Sequence, residues 1–204
     1  MNLHLIINYF ISPHLKRLNE YNSAVLTNIN NKHINKIHIF TKNKKDIRFQ
    51  SGKIKTIDNK DRPTFDEMIK YANQLNGYVI IANLDIAFDD SLRFISNFVN
   101  EKTCVALSRY ENKAGRWKLY DRNDSQDTWI FMIPIKKVNA DFCLGQRGCD
   151  NVLAGKLSKH YKVINPAGTI NSMHIHKSGY RNYNLPIVPG GRHCVNIDKK
   201  RRYV

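Results

Sequence analysis

Apolar positions along the chain follow two patterns, and together they predict the order of elements. Short runs rich in β-branched residues predict strands at 3–9, 34–41, 78–82, 104–108 and 128–135, with a shorter one at 163–164. Residues 53–57 alternate polar and apolar, as a half-buried strand does. Residues 47–50 read as a brief extended piece. Helical spacing links Leu15, Leu18, Tyr21, Ala24 and Val25, and also Phe65, Met68, Ile69, Ala72 and Leu75. Further helices are expected at 91–99 and 150–160. Thr64 and Glu67 stand three apart at the head of the second helix, which fits a capping box, and Asn76-Gly77 closes it. Strand and helix alternate from the first residues onward. That order predicts an α/β fold with a mostly parallel central sheet flanked by helices.

The run Tyr78 to Ala82 has the character of a strand buried on both faces, and it stops abruptly at Asn83 and Asp85. Ligands of open α/β sheets bind at the carboxyl ends of the strands, so Asp85 is well sited for a divalent cation or a phosphate-bearing ligand. Asp89 and Asp90 are expected to cap the next helix. Three other polar clusters fall at the same edge of the predicted sheet. They are Ser125-Gln126-Asp127-Thr128-Trp129, Gly148-Cys149-Asp150-Asn151, and His174-Ile175-His176 followed by Lys177, Ser178 and Arg181. Each has a plain alternative: Asp150 as a helix cap, Asp127 as loop polarity, and Arg62, Lys16 and Arg17 as exposed cations. On an extended segment the rings of His174 and His176 are expected to face opposite ways. Trp129, inside a strand, is expected in the core. The charged stretch 111–127 reads as a long binding loop.

Length and composition narrow the class. A chain of 204 residues, 42% hydrophobic, suits one domain with a real core. It contains no run of about 18 apolar residues that could cross a membrane. The apolar start lacks a basic region and a small-residue cleavage site, so it reads as a first strand and not as a signal peptide. Four cysteines without a C-x-x-C pair give neither a zinc site of the usual spacing nor a disulfide framework, and a cytoplasmic setting is expected. The formal net charge of +16 suits polyanionic partners, although an Asn/Lys/Ile-rich composition by itself also raises it. Lys199 to Arg202 form a basic tail, 199–204, beyond a domain taken as 1–198.

The clusters together are more specific than any one of them. The strings N-Y-F near the start, R-P-T-F before a helix, I-I-A-N-L-D-I-A-F-D-D, V-A-L-S-R-Y-E, S-Q-D-T-W-I-F, L-G-Q-R-G-C-D-N and H-I-H-K-S-G-Y-R-N-Y run in order over nearly the whole chain. In this the sequence resembles small nucleotide-diphospho-sugar glycosyltransferases of the GT-A fold, of the kind found in bacteria and large DNA viruses. The resemblance implies a single GT-A domain and transfer of a sugar, UDP-sugars favoured, to a hydroxyl of a glycan or lipid-linked acceptor. A viral member would act in the host cytoplasm.

The resemblance also assigns roles. Asn83-Leu84-Asp85 takes the place of the D-x-D motif, with Asn for the first Asp. Asp85 would bind Mn2+ or Mg2+, joined by His174 or His176, with His176 the stronger candidate. Asn83 would touch the donor ribose or sugar, and Asp127 would line the sugar pocket. Tyr9 and Arg62 would sit near the base, and Lys177 and Arg181 near the leaving diphosphate. Asp150 would take the acceptor proton, with inversion if it lies across the sugar from the diphosphate; retention stays open.

Two other functions fit parts of the pattern. A nucleotidyltransferase would use the same metal carboxylate, but it would want a glycine-rich phosphate loop after the first strand, and residues 9–16 contain no glycine. A basic nucleic-acid-binding module would want aromatics interleaved with Lys and Arg on exposed strands, whereas the aromatics here occupy core-like positions. No specific nucleic-acid partner is therefore expected, while the basic surface suits peripheral membrane contact.

Overall fold

The computed structural model of the protein describes residues 1–180 and 186–200. Among these, seven strands form the central sheet: β1 Leu3–Asn8, β2 Lys36–Thr41, β3 Ile54–Asp58, β4 Tyr78–Ala82, β6 Thr103–Leu107, β9 Thr128–Met132 and β10 Lys162–Ile164. The spatial order is β10-β6-β9-β4-β1-β2-β3. Every pairing is parallel except the two that β9 makes with β4 and β6. Helix α1, Leu15–Asn30, belongs to one side of the sheet. Helices α2, Phe65–Ala72, and α3, Cys149–Leu157, belong to the other. The predicted fold class is thus the observed one.

Strand periodicity divides the core. Leu3, Leu5, Ile7 and Tyr9 share one face with Ile37, Ile39, Ile80 and Ile130, under Tyr21 and Val25 of α1. Ile6, Phe40, Val79, Ile81, Trp129 and Phe131 face the other way, onto Phe65, Met68 and Ile69 of α2 and Leu153 of α3. Trp129 is fully buried. The capping box of α2 is present, with Thr64 accepting from the Glu67 amide and Glu67 from the Thr64 amide. That helix ends earlier than the sequence suggests, at Ala72. Gly77 serves the next strand instead. Its φ of +86° and the approach of the Asn2 carbonyl, 2.4 Å from where a Cβ would stand, leave no room for a side chain.

A second sheet has the order β5-β11-β7-β8, from β5 Ile86–Phe88, β7 Tyr110–Lys113, β8 Arg116–Leu119 and β11 Ser172–His174. Sequence periodicity does not reveal it, because strands of three or four residues are too short to alternate visibly. Half of the presumed loop 111–127 is the β7–β8 hairpin, turned by Ala114 and Gly115 with φ of 53° and 80°. Two consecutive positive φ angles make the primed turn that hairpin twist favours, here without the usual Asn-Gly. Residues 90–97 form a 3-10 helix in place of the expected α-helix, with Asp89 accepting from the Ser91 amide as its cap. No strand forms at 47–50, and a short 3-10 turn, Lys44–Asp46, precedes it. Asn28 of α1, 1% exposed, donates to the Ile86 carbonyl and accepts from the Phe88 amide, tying α1 to β5. All four cysteines are free.

Away from the sheet's carboxyl edge, His4 of β1 and His38 of β2 meet ring to ring, with Nδ1 and Nε2 2.9 Å apart, and Tyr71 of α2 closes the group at 2.8 Å. Burial, then the neighbouring His4, Lys55 and Lys36, push the His38 pKa down to about 4. The folded state therefore keeps His38 neutral in a range where the unfolded chain, near its ordinary 6.5, binds a proton. Stability is complete above pH 6.5 and declines as pH falls toward 4, by up to about 3 kcal/mol. Denaturant unfolding at pH 7.5 and 4.5 should show this loss in the wild type and a smaller one in His38→Gln. Equal losses in the two proteins would remove His38 as the cause.

Candidate active site

The cross-over between the two sheets builds the site. Strand β4 ends at Ala82, and the chain turns through Asn83, Leu84 and Asp85 into β5. Strand β11 runs antiparallel to β5 with His174 opposite Ile86, and the Ile175 amide donates to the Asp85 carbonyl at 2.8 Å. This register sets His174 Nε2 2.9 Å from Asp85 Oδ2. The expectation that His174 and His176 face apart fails because the strand stops at His174. The His176 amide then bonds back to the His174 carbonyl at 3.0 Å, and this turn brings the two ring centroids within 5.0 Å. One ligand atom each from Asp85, His174 and His176 lies within 4.8 Å of the others. His176 Nε2 is buried and has no hydrogen-bond partner among the described residues.

The electrostatics favour the ionised form of Asp85 and the neutral form of His176. Burial alone would raise the Asp85 pKa; His174 and Arg17 outweigh it and hold the carboxyl well below the usual carboxylate range. Burial lowers the His176 pKa, and Arg17 and His174 add to the effect, so its imidazole stays neutral and able to ligate. A carboxylate with two imidazoles, one nitrogen of them orphaned, fits a divalent transition ion, and the two nitrogen donors suit it less to Mg2+.

A cleft of about 400 Å3 opens over these residues and reaches Asp127 and Asp150. Antiparallel β9 enters the sheet opposite the end of β4, pairing Thr128 with Ala82. Asp127 therefore meets Asn83, whose side-chain amide donates to Asp127 Oδ1 at 2.6 Å. Arg109, just past β6, donates to Asp127 Oδ2 at 2.7 Å and to Glu111 at 3.0 Å. Asp150 is the second residue of α3, and Gly148, with φ +79°, takes the cap position that the sequence offers to Asp150. Burial pushes the Asp150 carboxyl up, while hydrogen bonds from Asn151 oppose it and the Asp127 charge adds to it. Gln126 Oε1 and Asn151 Oδ1 are buried acceptors with no donor among the described residues. Both residues line the cleft.

The other sequence candidates separate. Arg62 lines the cleft and donates to the Leu144 carbonyl. Tyr9 does not line it: its ring is buried against Phe49 and its hydroxyl donates to Asn22 at 2.7 Å. The same alternation that buries Tyr9 turns its neighbours Asn8 and Phe10 to the cleft. Lys177 is exposed and outside the cleft lining, its amide held by Glu20 at 2.6 Å. Arg181 and the tail residues Arg201 and Arg202 lie outside the described residues. Arg109 was legible only as the cation inside V-A-L-S-R-Y-E, at the carboxyl end of a strand. Glu20 and Asp124 carry no sequence signal beyond polarity, whereas Gln126 stands out only as a member of the cluster Ser125 to Trp129.

No protein-family model matches the chain, and no curated protein sequence matches it significantly. Solved structures do share its fold. A mannosyltransferase from Pyrobaculum calidifontis, in complex with GDP-Man and Mn2+, matches 88% of this chain with a TM-score of 0.51 and 9% identity. A 4-diphosphocytidyl-2C-methyl-D-erythritol synthase from Anaerococcus prevotii matches over 90% of this chain and 91% of its own, with a TM-score of 0.50 and 11% identity. The bifunctional IspDF from Campylobacter jejuni matches 81% of this chain, with a TM-score of 0.51 and 14% identity. The chain spans 58% of the mannosyltransferase and 49% of the bifunctional enzyme. At such identities the likeness is one of fold, a GT-A-like α/β domain with a large, mostly parallel sheet. Among the described residues no helix is long and apolar enough to cross a membrane.

Proposed function

We propose that this protein is a metal-dependent glycosyltransferase that moves a sugar from a nucleotide-diphosphate donor, a UDP-sugar favoured, to an acceptor hydroxyl. The observation that carries the reading is the convergence of Asp85, His174 and His176 in a cleft that also contains a half-buried carboxylate, Asp150, whose pKa burial raises. The three ligating residues would hold Mn2+ in preference to Mg2+. Such an ion supplies neutralisation of the charge that grows on the departing diphosphate.

The chain's own residues do the rest. Asp150 accepts the acceptor's proton as the hydroxyl attacks the anomeric carbon, and its raised pKa makes it a stronger base than an exposed carboxylate. Asp127, fixed by Asn83 and Arg109, and the unpartnered acceptors of Gln126 and Asn151 offer bonds to sugar hydroxyls. Burying polar acceptors without partners is costly, so a hydroxylated ligand bound there recovers that loss. The domain is taken as residues 1–198. Glycan or lipid-linked acceptors fit the reading.

Nucleotidyl transfer is the second reading, favoured by the near full-length match in fold to the Anaerococcus synthase. The two differ in product. Incubation with a panel of nucleotide sugars and Mn2+ should release a nucleoside diphosphate at a rate that an acceptor glycan increases. Incubation with nucleoside triphosphates and sugar phosphates should release no pyrophosphate. Pyrophosphate release without diphosphate release would replace the first reading by the second.

A further inference from the structure

Arg17 is placed to do more than fill the site. It lies in the first turn of α1, 9% exposed, and its guanidinium carbon stands 4.5 Å from the Tyr21 ring centroid. Nη2 donates to Asp85 Oδ2, the same oxygen that His174 Nε2 meets at 2.9 Å. Nη1 donates to Glu20 Oε2 at 2.9 Å. Glu20 in turn accepts from the amides of Lys177 and Ser178, both at 2.6 Å, and from the Ser178 hydroxyl at 3.0 Å. Glu20 therefore anchors both Arg17 and the segment that begins just after His176.

The charge count decides what this arrangement favours. Arg17 carries +1, and Asp85 and Glu20 carry −1 each, so these three groups sum to −1. A divalent cation arriving alone at Asp85 finds a net charge of −1 and a guanidinium already bonded to its carboxylate oxygen. Guanidinium cannot relieve the conflict by losing a proton. A diphosphate changes the balance. It brings charge that offsets the ion, and it offers the guanidinium oxygens of the kind that arginine binds in a forked geometry. Arg17 can turn to them while keeping its bond to Glu20, and Arg17 lines the cleft where they would lie.

We infer that Arg17 makes metal binding conditional on the diphosphate: it occupies Asp85 Oδ2 until a diphosphate draws it away. The inference rests on the metal-site reading above. It gives the site an order of assembly, in which nucleotide diphosphate and ion enter together and free ion alone is held poorly.

Mn2+ binding followed by the electron paramagnetic resonance of the free ion tests it, with UDP, GDP and inorganic pyrophosphate as probes. In the wild type, at least one of the three should tighten Mn2+ binding by about 30-fold or more. In Arg17→Gln, Mn2+ alone should bind about tenfold tighter than in the wild type, and the enhancement should shrink by the same factor. Arg17→Lys keeps the charge without the fork and should hold Mn2+ alone as weakly as the wild type. Arg17→Gln binding Mn2+ alone no tighter than the wild type overturns the inference. If that variant does not fold, the wild type decides, and an enhancement below about threefold by every probe overturns it. Asp85→Asn in the same assay separates the two claims. Mn2+ binding that survives this change sinks the metal site itself, whereas unchanged affinity in Arg17→Gln sinks only the role of Arg17.

Discussion

Asp85→Asn is expected to lower sugar transfer by about 1000-fold or more, equivalent to about 4 kcal/mol of lost transition-state stabilisation. Asp85 is the one carboxylate in the ligating group, so an amide there removes the negative charge on which any divalent ion depends. The change is isosteric, which matters because Asp85 is 6% exposed and bonded to Arg17 and His174. Asp85→Ala would also leave Arg17 buried beside a gap. Either change breaks the buried Arg17 pair on one side, at a cost of about 3–5 kcal/mol of stability, and the alanine variant adds a cavity, so lost folding has to be told from lost function. Comparing melting temperature with the rate of nucleoside diphosphate release separates the two. A folded Asp85→Asn protein within tenfold of wild-type activity would mean that the ion, if one acts, is held elsewhere.

Asp150→Asn is expected to cut kcat by about 100- to 10,000-fold, the range that a positioned general base supplies. Donor binding should stay within about threefold, because the proton is accepted from the other substrate. Asparagine keeps the size of the side chain at the second position of α3, so the helix start should survive. The pH profile adds an independent check. Burial raises the Asp150 pKa, so the acid limb of kcat/KM should fall above the ordinary carboxylate range and should vanish in the variant. A variant that keeps most of its kcat would move the proton transfer to another group and reopen a retaining route.

Both predictions concern residues that the sequence already marks, and the reason is physical. Asp85 lies just past Tyr78 to Ala82, an apolar, β-branched run of the kind that fits a central strand, and the polar clusters expected at the same edge add the weight that this short motif lacks. The capping box of α2 and the division of the core into two faces follow in the same way from spacing. Tyr9 shows the limit of motif reasoning. It was assigned to the base pocket from resemblance, yet it continues the parity of Leu3, Leu5 and Ile7, and that parity sends it into the core. Asn8 and Phe10 have the opposite parity and line the cleft.

What the sequence hides is mostly pairing at a distance. The β5–β11 ladder sets His174 beside Asp85 across 89 residues, and no local pattern announces it. The turn after His174, which defeats the expected alternation of the two rings, is closed by the bond from the His176 amide to the His174 carbonyl. The hairpin within 111–119 is missed because Ala-Gly is a weaker turn signal than Asn-Gly. Arg17 stays ambiguous in the sequence, and Arg109 stands out only within V-A-L-S-R-Y-E, until the fold places carboxylates in front of them.

The most direct test of the site is a crystal structure with Mn2+ and a nucleoside diphosphate, read by anomalous scattering at the manganese edge. The account predicts an anomalous peak at ligand distance from Asp85, His174 Nε2 and His176 Nε2, with the diphosphate beside it and Arg17 turned from Asp85 to a phosphate oxygen. A nucleotide bound in the cleft with no manganese at these three residues, or manganese bound elsewhere on the chain, would contradict it.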